Sequence, residues 1–168
     1  VLLNVADQVA SKLEEWSFAG RKPVRREVQA PFPGKLDIRG LHDADLKHDA
    51  MAERYWLAYA DFLTPDTLYL GQAGSDERLR LKGRLAGFDA TGMRVEQQFA
   101  TSKDGTRVPY FVIWPKGAKA DGRNPTLLYG YGGFEVSMDP GYRTSWGRGW
   151  LARGGVFVLA NIRGGGEF

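Results

Sequence analysis

Two apolar runs that each break into glycine constrain this chain more than anything else in it. The first is Pro125-Thr-Leu-Leu-Tyr-Gly-Tyr-Gly-Gly-Phe134, and the second is Val156-Phe-Val-Leu-Ala-Asn-Ile-Arg-Gly-Gly-Gly-Glu-Phe168. Each reads as a strand ending in a loop that can turn sharply and approach other backbone closely. Residues 126–129 suit a buried strand, and the longer run 156–162 suits one covered on both faces. Between them, residues 143–153 carry Trp146, Trp150 and Leu151 at helical spacing, with Gly154-Gly155 as a natural stop. In open α/β sheets, sites form where strand ends run into loops over a crevice. Tyr131, among Gly130, Gly132 and Gly133, would hold a phenol over such a crevice. Half of the glycines, 11 of 22, lie at or after Gly130, so the backbone there is built for turns.

Upstream the pattern differs. Short strand-like runs occupy residues 1–5, 12–18, 25–28, 36–39, 54–62, 67–70 and 78–85. Gly20, Pro33-Gly34, Thr64-Pro65-Asp66 and Gly74-Ser75-Asp76 separate them. This spacing predicts antiparallel meanders, as in sandwiches and propeller blades. From about Met93 the character changes. Residues 94–100 and 108–114 flank Lys103-Asp-Gly-Thr106, a strong hairpin signal. Hairpin, strand, helix, strand is how an α/β domain opens. The expected fold class is therefore mixed β and α/β, with one portion over 1–92 and a second over 93–168.

Composition narrows the function classes. At 168 residues the chain is large enough for one domain and small for two, and its 43% hydrophobic and 26% charged content is ordinary for a globular protein. The net charge is +3. Its densest basic stretch, Arg78-Leu-Arg-Leu-Lys-Gly-Arg84, alternates as the wet face of a strand does, so no nucleic-acid partner is expected. With no cysteine, disulfides and thiolate metal sites are excluded, while cytoplasmic and periplasmic locations both stay open. No apolar run approaches the ~20 residues that span a bilayer, and no membrane partner is expected. The start, Val1-Leu-Leu-Asn-Val5, has no basic segment and does not read as a signal peptide. With an end directly after three glycines, the chain reads as a piece of something longer.

No catalytic triad can be assembled from these residues. The frame G-x-S-x-G is absent: Ser75 follows Gly74 without it, and Arg143-Thr-Ser-Trp-Gly147 has only its last glycine. His42, Asp45 and His48 lack the spacing of a zincin and sit among Asp43 and Asp49 as solvated loop residues do, so no metal is expected. Asn161-Ile-Arg-Gly-Gly-Gly-Glu167 matches neither the dinucleotide nor the P-loop spacing. An ion pair between Arg163 and Glu167 that fixes the loop is expected instead. Tyr129, Tyr131 and Phe134 can also be read as core aromatics beside a tight turn.

Leu128-Tyr-Gly-Tyr-Gly-Gly-Phe134 and Ala160-Asn-Ile-Arg-Gly-Gly-Gly-Glu167 resemble signature segments of the prolyl oligopeptidase family of serine peptidases. Ser102-Lys-Asp-Gly-Thr-Arg-Val-Pro109 sits where that family resumes its hydrolase domain after a β-propeller, and Phe62-Leu-Thr-Pro65 resembles its last blades. The resemblance implies the end of a β-propeller over 1–92 and the first strands of an α/β-hydrolase catalytic domain over 93–168. It also implies a parent that hydrolyses short peptides on the carboxyl side of proline, with Tyr131 in the oxyanion hole and Phe134 in the proline pocket. Gly132-Gly133-Phe134 is closer to the prolyl-specific branch, and Phe168, where Tyr is common, is a conservative departure. In that family the serine, aspartate and histidine come later than this sequence reaches. The segment alone is thus expected to be inactive. Its implied partners are a short proline-containing peptide and the remainder of the propeller and catalytic domain, and no cofactor is implied. The isolated sheet would expose an edge beside residues 156–162. Two rivals stay open: a non-catalytic binding module, and another α/β hydrolase such as an esterase.

Overall fold

The computed structural model describes residues 1–30 and 34–166. Every strand expected from the spacing is present, within two residues at each end. Strands β1 (Leu2–Asp7), β2 (Ala10–Ser17) and β3 (Val24–Val28) form a three-stranded antiparallel sheet in chain order. Strands β4 (Lys35–Gly40), β5 (Arg54–Ala60), β6 (Thr67–Gln72) and β7 (Arg78–Gly83) form a second meander. Period-two alternation selects the face that is buried: Tyr55, Leu57 and Tyr59 point into the core, while Trp56 between them is exposed. Leu13 and Val28 of the first sheet pack against that face, with Leu36. Polar links reinforce the contact. The Asn4 side-chain amide donates to the Leu36 carbonyl at 2.6 Å, and Arg26 pairs with Glu15 at 2.6 Å and with Asp76 at 2.9 Å.

The opposite face of the second meander is open. Trp56 lies across from Leu70, and Leu70 from Leu79. Leu79 and Leu81 are exposed, so β7 is wet on its leucine side as well as on its basic side. The reason is position: β7 is an edge strand, and nothing among the described residues covers it.

Strands β8 (Arg94–Thr101), β9 (Arg107–Trp114), β10 (Thr126–Gly130) and β11 (Val156–Ala160) form the third sheet, in the order β10-β11-β9-β8. Pairs β8–β9 and β9–β11 are antiparallel, and β10–β11 is parallel. A parallel pair needs a crossover. Here the crossover contains helix α1 (Thr144–Gly149) and a 3₁₀ turn, Leu151–Arg153. The expected helix over 143–153 is thus interrupted at Trp150, whose φ of −129° is not helical. Trp150 instead donates its indole N–H to the Val156 carbonyl at 2.8 Å. Trp146 seats α1 on the sheet, 4.3 Å from the Phe157 ring and 5.9 Å from the Tyr129 ring.

The burial expected of residues 126–129 is not found: β10 is exposed along its whole length. It forms the edge of the sheet, with β11 on one side and no described residue on the other. The run expected to lie beside the open edge, β11, is interior, and Val156, Phe157 and Leu159 are buried. No helix among the described residues is long and apolar enough to cross a membrane.

The third sheet is tied to the meanders. Phe111, Ile113, Phe157 and Leu159 form its core with Phe62 and Leu151, and Val9 from the β1–β2 turn is buried among them. Val9 has φ of +69° and Gln8 of +50°. Gln97 donates to the Gln8 carbonyl at 2.6 Å, and Lys35 pairs with Asp139 at 2.8 Å.

Candidate functional site

Parallel pairing sets Gly130 opposite Ala160, so β10 and β11 release their glycine loops at the same end of the sheet. The loops touch backbone to backbone. A Cβ on Gly132 would lie 2.2 Å from the Arg163 carbonyl oxygen, and one on Gly164 would lie 2.1 Å from the Gly132 carbonyl oxygen. Real Cβ atoms do not approach oxygen so closely, so both positions require glycine. The Glu135 amide donates to the Gly164 carbonyl at 3.0 Å, and the Val136 amide to the Gly133 carbonyl at 3.1 Å.

Tyr131 sits on this platform, with 37% of its surface exposed. Its phenol is folded back over Gly133, where a Cβ would lie 2.8 Å from the hydroxyl oxygen. The absence of a side chain at 133 is what admits the ring. Phe134 is 94% exposed and builds no pocket wall among the described residues. Phe134 and Glu135 both have left-handed backbone, with φ of +56° and +54°. Two consecutive residues of this kind are costly, of order 1–3 kcal/mol each, and persist only where their surroundings hold them.

Two residues that hold the loops were not singled out from the sequence. Asn161 is fully buried and donates from its side-chain amide to the Met138 carbonyl at 2.9 Å, pinning the segment after Phe134. A signal was available: an amide at the end of an apolar strand needs a backbone partner. The second is Asp104, in the β8–β9 turn. Glu167 lies outside the described residues, and Arg163 pairs with Asp104 at 2.6 Å. The Thr106 amide and then the Arg163 guanidinium hold the Asp104 carboxyl down to about 2.

The histidines lie elsewhere, in the β4–β5 connection. His42 Nδ1 is 3.2 Å from Asp49, whose carboxylate also accepts from the Asp43 and Met51 amides. These amides, more than His42, hold the Asp49 carboxyl below its usual range. No three His, Asp or Glu among the described residues are grouped to hold a metal ion. What the end of the third sheet offers is one phenol donor, one exposed aromatic ring and one paired guanidinium. That set can stabilise developing negative charge.

No family model matches the chain. An uncharacterised peptidase of Sinorhizobium fredii is 46% identical over the whole chain, which covers 22% of that protein. The prolyl endopeptidase of Elizabethkingia miricola is 35% identical over 94% of the chain and 21% of its own length. A post-proline cleaving enzyme from Rickettsia typhi superposes with a TM-score of 0.73 at 32% identity, over 99% of this chain and 23% of that one. Prolyl oligopeptidase B from Galerina marginata, bound to a macrocyclization substrate, superposes with a TM-score of 0.76 at 26% identity, over 99% and 22%. The chain therefore spans about a fifth of the length of the relatives it matches. The two glycine segments, the β8–β9 hairpin and these likenesses over nearly the full chain agree: it belongs to the prolyl oligopeptidase family of serine peptidases.

Proposed function

We propose that the chain is part of a longer serine peptidase that cleaves short peptides on the carboxyl side of proline. Residues 1–92 are the last part of its β-propeller, and residues 93–168 are the first strands of its α/β-hydrolase domain. Tyr131 donates its phenolic hydrogen to the oxyanion of the tetrahedral intermediate, and Phe134 offers a flat apolar face to the substrate proline. The observation that carries this reading is the parallel β10–β11 pair. It supports a tyrosine-bearing loop at the carboxyl end of a sheet, where such folds meet substrates. The names of the relatives as prolyl endopeptidases, and one solved with a 25mer macrocyclization substrate bound, support the substrate class.

The chemistry follows from the donor. A serine attacks the carbonyl after proline while a histidine takes its proton, and the carbonyl oxygen becomes anionic. A hydroxyl already aimed at that oxygen pays no reorganisation as charge develops, and one such donor is worth about 3 kcal/mol of barrier. Serine, histidine and aspartate belong to the rest of the catalytic domain, so the segment alone turns nothing over.

The test is hydrolysis of a chromogenic proline peptide by the full-length protein that carries this chain. Tyr131→Phe removes only the hydroxyl and is expected to lower kcat about 100-fold, with KM little changed. An unchanged kcat removes Tyr131 from the oxyanion site. Turnover of an ester without turnover of the peptide replaces the peptidase with an esterase.

A further inference from the structure

The Arg163–Asp104 pair links two places that the chain keeps far apart: the tip of the β8–β9 hairpin and the loop behind Tyr131. Asp104 is fixed on its own side. Its carboxylate accepts from the Thr106 amide at 3.1 Å, and the turn is closed by the Ser102 amide donating to the Thr106 carbonyl at 2.9 Å. Arg163 reaches it with one guanidinium nitrogen at 2.6 Å. The Arg163 carbonyl lies against the Cα of Gly132, and Gly164 meets Gly132 from the other direction. Close-packed backbone transmits displacement, because there is no gap to absorb it. A shift of the Arg163 backbone therefore shifts Gly132, and with it the adjoining Tyr131.

Resting on the oxyanion reading of Tyr131, we propose that Asp104 and Arg163 are positioning residues that together hold the Tyr131 phenol at its working place. Both side chains are about half exposed, 54% and 51%. Exposed pairs add little to global stability, so the effect of breaking this one is expected in the geometry of the loop and not in folding. In this role neither residue needs to touch substrate. Their influence runs entirely through Tyr131, which gives the inference a distinctive signature.

The experiment measures kcat, KM and the thermal midpoint of the full-length protein with a proline peptide substrate. The variants are Asp104→Asn, Arg163→Gln, the two combined, the milder Arg163→Lys, and each single change in a Tyr131→Phe background. Each single change is expected to lower kcat about fivefold to tenfold, since small misplacements of catalytic groups are costly. KM and the thermal midpoint are expected to stay near the parent values. The combined variant should be no slower than either single one, as for groups that act as one unit. In the Tyr131→Phe background the same changes should have no further effect. If Tyr131→Phe itself leaves kcat unchanged, the oxyanion reading has failed and this inference with it. If Tyr131→Phe is slow but Asp104→Asn and Arg163→Lys keep full kcat, the positioning role alone is overturned. Equal losses in both backgrounds, or losses that follow the thermal midpoint, overturn it too.

Discussion

A methyl group decides the shape of the Tyr131 platform. At Gly132 it would meet the Arg163 carbonyl at 2.2 Å, and a carbonyl cannot swing aside as the tip of a lysine can. Gly132→Ala is expected to cost about 1–3 kcal/mol of stability, the usual range for forcing extra volume into packed structure. Gly164→Ala carries the same clash and adds the strain of its φ of +90°, so it should cost more. Thermal denaturation of the full-length protein ranks them, and equal stability of all three proteins contradicts the contact. Asp104 makes a second prediction at this scale. Its carboxyl is held down to about 2 from an ordinary 3.8, chiefly by the Thr106 amide and then by Arg163. A carboxyl whose folded value is depressed adds stability above the ordinary value and loses it as pH falls toward the folded one. Solvent screens a half-exposed pair, so the thermal midpoint of Asp104→Asn should lie only slightly below that of the parent at pH 5–7, and that small gap should close between about pH 4 and 2. A gap that is constant with pH would show that the charge is not responsible. Tyr131 and the glycines were legible in the sequence because a phenol between glycines is a local pattern. The pairing of Arg163 with Asp104 was not. Asp104 is 59 positions distant and becomes a neighbour only through the sheet order β10-β11-β9-β8, while the expected pairing with Glu167 lies outside the described residues.

Among the elements, the β1–β2 turn carries the sharpest conflict. Val9 is buried in the core of the third sheet, yet its φ of +69° is one that β-branched residues avoid. Burying its side chain stabilises by about 1.5–3 kcal/mol, and the strained backbone costs about 1–3 kcal/mol. The two nearly cancel. Val9→Gly, which relieves the strain and forfeits the packing, is expected to be close to neutral. Val9→Ala forfeits packing and keeps most of the strain, so it should lose about 1–2 kcal/mol. Urea unfolding at constant m-value reads the difference, and an alanine variant as stable as the glycine one overturns the argument. Strand positions were legible here because alternation is written residue by residue, as in Tyr55, Leu57 and Tyr59. The exposure of β10 was not legible, since a strand is covered only if something lies beside it. The break at Trp150 also escaped the helical spacing: its indole finds the Val156 carbonyl, a partner that exists only after the crossover has closed.

At the scale of the molecule, two surfaces formed by the described residues are left uncovered. One is the edge of β10, with Leu128 and its neighbours exposed. The other is the row Trp56, Leu70 and Leu79 on the open face of the second meander. Unpaired edges and flat apolar faces template association. The isolated 168-residue chain is accordingly expected to self-associate with rising concentration, and Leu128→Lys should shift it toward monomer. Light scattering across the micromolar range checks this, and a monodisperse monomer at about 100 μM would contradict it. The remaining consequence concerns the order in which the protein is made. Lys35 pairs with Asp139 across 104 positions, and Val9 reaches Phe157 and Leu159 across a longer stretch still. Translation delivers the amino-terminal side first, so both anchors are in place before the ribosome has finished the loop that follows Tyr131. That loop therefore emerges after the residues that anchor it have been made. A circularly permuted gene that encoded residues 93–168 ahead of residues 1–92 would reach the same contacts, but its nascent chain would wait longer with Phe157 and Leu159 uncovered by Val9.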